Sequence, residues 1–140
     1  MRKSTIKIVE DLALCPDFHS FYDENKDFLI HNTLPELLDT LIKKKQLKKS
    51  QVIKDSELSD VYAYQIFSGH RLPDRKKLIC LAIGMHLNTQ ELQTLLKHAG
   101  YPPLYAKRPF DAIVIYGFDR GMTIVEINTL LYKYNLETIG

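Results

Sequence analysis

The chain has 140 residues and a mass of 16.2 kDa, about the size of one compact domain. It is 45% hydrophobic, 26% charged and 10% aromatic, which excludes disordered, collagen-like and mucin-like polymers. Its net charge of +2 is too small to name a partner, and no apolar run approaches the ~20 residues of a membrane helix, so no membrane partner is expected.

Residues 1–32 read as an N-terminal arm, partly ordered. Ile6, Ile8, Val9, Leu12 and Leu14 suit a short helix ending before Pro16, and Phe18, Phe21, Tyr22 and Phe28 are too many aromatics for a free tail. The first ten residues lack an uninterrupted apolar core, so no secretory signal is expected. Cys15 and Cys80 lie far apart and make neither a disulfide framework nor a CxxC pair. A reducing cytoplasm is the expected location, with Cys80 as packing.

From residue 33 onward helix signals recur and strand signals do not. Thr33-Leu34-Pro35-Glu36 reads as a helix start, with a hydroxyl cap and Pro inside the first turn. Leu34, Leu37, Leu38, Leu41 and Ile42 then make one apolar face. Two short helices are predicted at about 50–56 and 60–67, the second capped by Ser59, with Leu58, Ala63 and Ile66 inward. Asp74 caps a helix running to about Met85. After Lys77 that helix is apolar all round, so it should be buried on more than one side. The C-terminal helices are its expected cover. Asn88 and Glu91 cap a further helix that Gly100 stops. Tyr101-Pro102-Pro103-Leu104-Tyr105 is a stiff connector. Two more helices follow, from about Pro109 to Arg120 and after the Thr123/Glu126 cap.

Positive charge gathers in the middle of the chain: residues 34–100 carry eleven basic and seven acidic side chains. Much of it is Lys43, Lys44, Lys45, Lys48, Lys49 and Lys54, with no acid between the first and the last. The stretch from Leu47 to Leu92 places this charge beside the two short helices. There, Ile66-x-x-Gly69-x-Arg71-x-Pro73 is followed by Leu78-x-x-Leu81-Ala82, with Leu47, Val52 and Leu58 at core spacing. This pattern resembles the helix-turn-helix of the lambda-repressor/Cro-like family, also called the xenobiotic-response-element type. The run Tyr62 to Gly69 further resembles a subgroup of such regulators in Firmicutes-type bacteria.

The resemblance covers residues 33–100 and implies an all-α fold: a five-helix DNA-binding module with two extra C-terminal helices over 101–140. It implies a cytoplasmic transcriptional regulator that binds double-stranded DNA in a sequence-specific way. The helix beginning at Asp60 would enter the major groove, with Asp60, Val61, Tyr62, Tyr64 and Gln65 facing bases. Gln65 suits bidentate pairing with adenine, and Val61 contact with a thymine methyl. Lys48, Lys49, Lys54, Ser68, His70 and Arg71 would meet phosphates. The apolar excess of residues 101–140 implies a homodimer interface.

The sequence departs from the family pattern at defined places. The recognition helix has no Arg or Lys, and Asp60 repels phosphate. Glu57 and His86 stand where the family usually has Gly, Ser56 where a core Leu is common, and Ile53 where a small Ala is usual. These departures keep a second expectation open: an adaptor using Tyr62, Tyr64 and Phe67 to bind a protein. His19, His31, His70, His86 and His98 show no metal spacing. Asp39, Asp74 and Glu91 read as caps and solvated charges. No nucleophile triad, Gly-rich phosphate loop or carboxylate pair is legible, so neither an enzyme nor a cofactor is expected.

Overall fold

The computed structural model describes residues 3–26 and 33–140, so Phe28 and His31 lie outside the described residues. Among the described residues there are nine helices and no strand, and the protein is all-α. Two compact units divide the chain, Met1–Asn32 and Thr33–Gly140.

In the first unit, α1 spans Thr5–Leu14 and α2 spans Phe18–Asn25. Pro16 separates them, and each has a side-chain cap. Ser4 Oγ accepts the Lys7 N–H at 3.1 Å, and Asp17 Oδ1 accepts the Ser20 N–H at 2.7 Å. Three of the four aromatics of this region lie on one helix: Phe18, Phe21 and Tyr22 fall at i, i+3 and i+4 of α2, where side chains share a face. Phe21 and Asn25 are buried, and Lys3 bridges Asp11 and Asn25.

The second unit holds α3 (Leu34–Lys44), α4 (Lys49–Ser56), α5 (Asp60–Ser68), α6 (Arg75–Gly84), α7 (Thr89–His98), α8 (Pro109–Asp119) and α9 (Ile124–Lys133). Polar caps set several of these starts. Thr33, Ser59 and Asp74 each accept a backbone N–H three residues on, and Asn88/Glu91 and Thr123/Glu126 form complete capping boxes.

The apolar run of α6 lies at the centre, with every residue from Leu78 to Met85 buried. Each such Leu or Ile contributes about 2 kcal/mol of burial energy. Its main cover differs from the expectation. It packs chiefly on α4 and also on α7, while α8 and α9 pack mainly on each other, with α8 reaching α7. The tail after α9 also reaches α6. Ile139 is buried, its backbone is clamped by Asn128 at 2.8 and 2.9 Å, and Gly140 lies beside the Cys80 sulfur. Burial pushes the Cys80 thiol up to about 11, consistent with a packing role.

Arg75 holds the connector in place. Its Nε donates to Pro102 O at 3.0 Å, Nη2 donates to Pro103 O at 3.3 Å, and both Nη groups bond the carboxylate of Asp111 at 3.1 and 3.2 Å. Asp111 is buried and also accepts the Tyr105 N–H at 2.9 Å. Gln93 of α7 pairs with both backbone groups of Leu104, at 2.6 and 2.9 Å. The connector therefore ties the starts of α6 and α8 together.

Candidate nucleic-acid interface

The site is built on α5, whose position begins with backbone conformation. Glu57 ends α4 in the left-handed region (φ 56°), and Gly69 ends α5 in the same region (φ 84°). His86 also adopts φ 55°. The non-glycine residues at 57 and 86 thus take the conformation that a glycine would take more readily. Ser56 is buried, and its Oγ donates to Ile53 O at 2.7 Å. A Leu cannot make that bond, and Ser56 lies against Gly84 of α6, where a Cβ built on the glycine would come 2.9 Å from the Ser56 Cβ.

The inner side of α5 is dry. Ala63 and Ile66 are fully buried, Leu58 is half-buried, and the helix packs on α3. The outer side is open. Asp60, Val61, Tyr64 and Ser68 are exposed, Val61 by 70% and Tyr64 by 51%, and Gln65 is half-buried. Positions 60, 61, 64, 65 and 68 share one helical face.

The remaining expected residues fall in distinct places. Tyr62 does not stand out from α5. It is half-buried against the core, and burial followed by the Asp74 charge pushes its phenol above its usual value. Lys48, Lys49 and Lys54 are exposed. Lys49 Nζ lies 5.3 Å from the centroid of the Phe67 ring, which holds it beside α5. Among the described residues no ion pair engages Lys48 or Lys54. Lys43 and Lys45 are paired with Asp39 at 2.9 Å and Glu91 at 3.0 Å, so they are less available to a ligand.

Ser68, His70 and Arg71 fold back on α5. Ser68 Oγ donates to Gln65 O at 3.2 Å and shares a 2.7 Å hydrogen bond with His70 Nδ1. Arg71 Nε donates to Gln65 Oε1 at 2.9 Å, and its guanidinium lies 5.2 Å from the Tyr62 ring centroid. The sequence did not disclose this pairing, because a six-residue separation reads as two independent side chains unless the Gly69 turn is known to bring them together. Leu72, in the turn after α5, is also exposed, by 65%. Its signal was an apolar residue in an otherwise polar turn.

No family model, curated protein or solved structure matches this chain.

Proposed function

We propose that residues 33–100 form a five-helix module of the lambda-repressor/Cro-like type, and that the protein is a sequence-specific double-stranded-DNA-binding transcriptional regulator. In this reading α5 enters the major groove. Asp60, Val61, Tyr64 and Gln65 meet base edges, and Lys48, Lys49 and Lys54 meet phosphates. The carrying observation is the contrast between the two sides of α5: Ala63 and Ile66 are fully buried, while Val61 and Tyr64 remain uncovered, and exposed Lys49 lies 5.3 Å from the Phe67 ring of the same helix.

The test is retention of a mixed-sequence duplex by the full chain at about 50 mM salt, followed by a salt titration. Association that weakens steeply with salt supports the reading, and no retention at low salt rejects it. A second copy of the chain would let two α5 helices read half-sites about one helical turn apart. That step is supported by the apolar groove of about 770 Å³ that Ile113, Tyr116, Leu130 and Tyr134 help to line. Sedimentation at high micromolar concentration decides it, and a concentration-independent monomer removes the dimer.

One observation favours a protein-binding adaptor as the second reading. Val61 and Tyr64 expose apolar surface on the helix that begins with Asp60, and α5 itself carries no cation. A stoichiometric protein complex that survives nuclease and is lost in Tyr64→Ala would select this alternative.

A further inference from the structure

We propose that Arg71 is a positioning residue for base readout, setting the amide of Gln65 rather than acting only on phosphate. The inference rests on the DNA-binding reading and refines it. Arginine carries donors and no acceptor, so the Gln65 atom facing its Nε–H must be the amide oxygen. The bond at 2.9 Å therefore selects one of the two amide orientations of Gln65.

Arg71 is itself held. Its guanidinium lies over the ring of Tyr62, and Tyr62 is packed against the core. The backbone repeats the side-chain link: the N–H groups of His70 and Arg71 both donate to Gln65 O, at 2.9 and 3.2 Å. Gly69 makes this return possible by taking φ 84°, and a side chain there would also press on Pro35, whose Cγ lies 3.3 Å from a built Cβ. Gln65 is thus ordered before any DNA arrives, and a preordered donor–acceptor edge discriminates bases more sharply than a free one.

The experiment selects duplexes from a library with randomised positions, using the full chain and the variants Gln65→Ala and Arg71→Lys. Lysine keeps the positive charge but lacks the Nε–H and the flat guanidinium that stacks on Tyr62. The wild type should prefer one base pair at the Gln65 position by roughly tenfold or more. Both variants should reduce that preference to about twofold or less at the same pair. Arg71→Lys should keep the salt dependence of the wild type, and since Arg71 is exposed, thermal unfolding should be unchanged. Arg71→Lys with the wild-type base preference would overturn the inference while leaving DNA binding standing. A wild-type chain that retains no duplex at all would reject the DNA-binding reading and this inference with it.

Discussion

Gly84 of α6 and Val52 of α4 meet backbone to backbone. A Cβ built on Gly84 would lie 2.4 Å from Val52 O, and 2.9 Å from both the Cβ and the N of Ser56. Helix propensity alone favours Ala over Gly by about 1 kcal/mol. The clash reverses that sign, because a backbone oxygen cannot swing aside as a side chain can. Gly84→Ala should therefore destabilise the second unit by about 2 kcal/mol. Urea unfolding followed by circular dichroism checks this, and an unchanged or raised midpoint would contradict the close approach.

Glu57→Gly should act in the opposite direction. Glu57 sits at φ 56°, where a residue with a Cβ carries strain of about 1 kcal/mol. The substitution should raise the unfolding free energy by about that amount. It also removes a negative charge from the turn before α5, so duplex affinity should rise under the same conditions. Unfolding curves and a duplex titration on one preparation test both effects.

These two positions show how far the sequence could be read. Helix starts were legible because caps are local chemistry: Ser59, Asp74, Asn88 and Thr123 each lie next to the helix they begin. Glu57 and His86 were identifiable as strained positions only through the family resemblance. Gln46 and Asn135, with φ 55° and 61°, gave no such signal. Contacts over long separations were not legible. The Arg75–Asp111 clasp spans 36 residues, and the packing of α4 on α6 depends on Gly84, which reads in sequence only as a weak helix former. The outer face of α5 was legible mostly through the family resemblance, which singled out Asp60, Val61, Tyr64 and Gln65. The half-burial of Tyr62 was not, because an aromatic beside Ile66 and Phe67 suits either side of the helix.

Asp111→Ala should weaken the packing of α8. Asp111 is 3% exposed and accepts from both Nη groups of Arg75 and from the Tyr105 N–H. Its removal leaves the Tyr105 N–H without its acceptor and the half-buried guanidinium with only the Pro102 and Pro103 carbonyls, at a cost of about 3 kcal/mol. Chemical denaturation of this variant against Arg75→Ala, and of the double variant, measures the coupling. Additive losses would mean that the two residues act independently.

Acid should weaken the fold through its capping carboxylates. Burial pushes the Glu91 carboxyl up, but the Asn88 N–H and the Lys45 ammonium outweigh it and leave it below the usual 4.5. Bonds from the Thr123 N–H and hydroxyl likewise hold Glu126 below 4.5. A carboxyl lowered in the folded state contributes stability that is complete above its unfolded value and is lost as pH falls through its folded value. The urea midpoint should therefore fall as pH drops below about 4.5, and Glu91→Gln with Glu126→Gln should flatten that decline. An equal decline in wild type and double variant would remove these caps as its source.

The most direct test of the central claim follows backbone amide resonances of the full chain as a duplex is added at low salt. DNA binding through α5 requires the largest shifts at Asp60, Val61, Tyr64, Gln65 and Ser68, with accompanying shifts at Lys48, Lys49 and Lys54. Shifts confined to α8 and α9, or none anywhere, would contradict it.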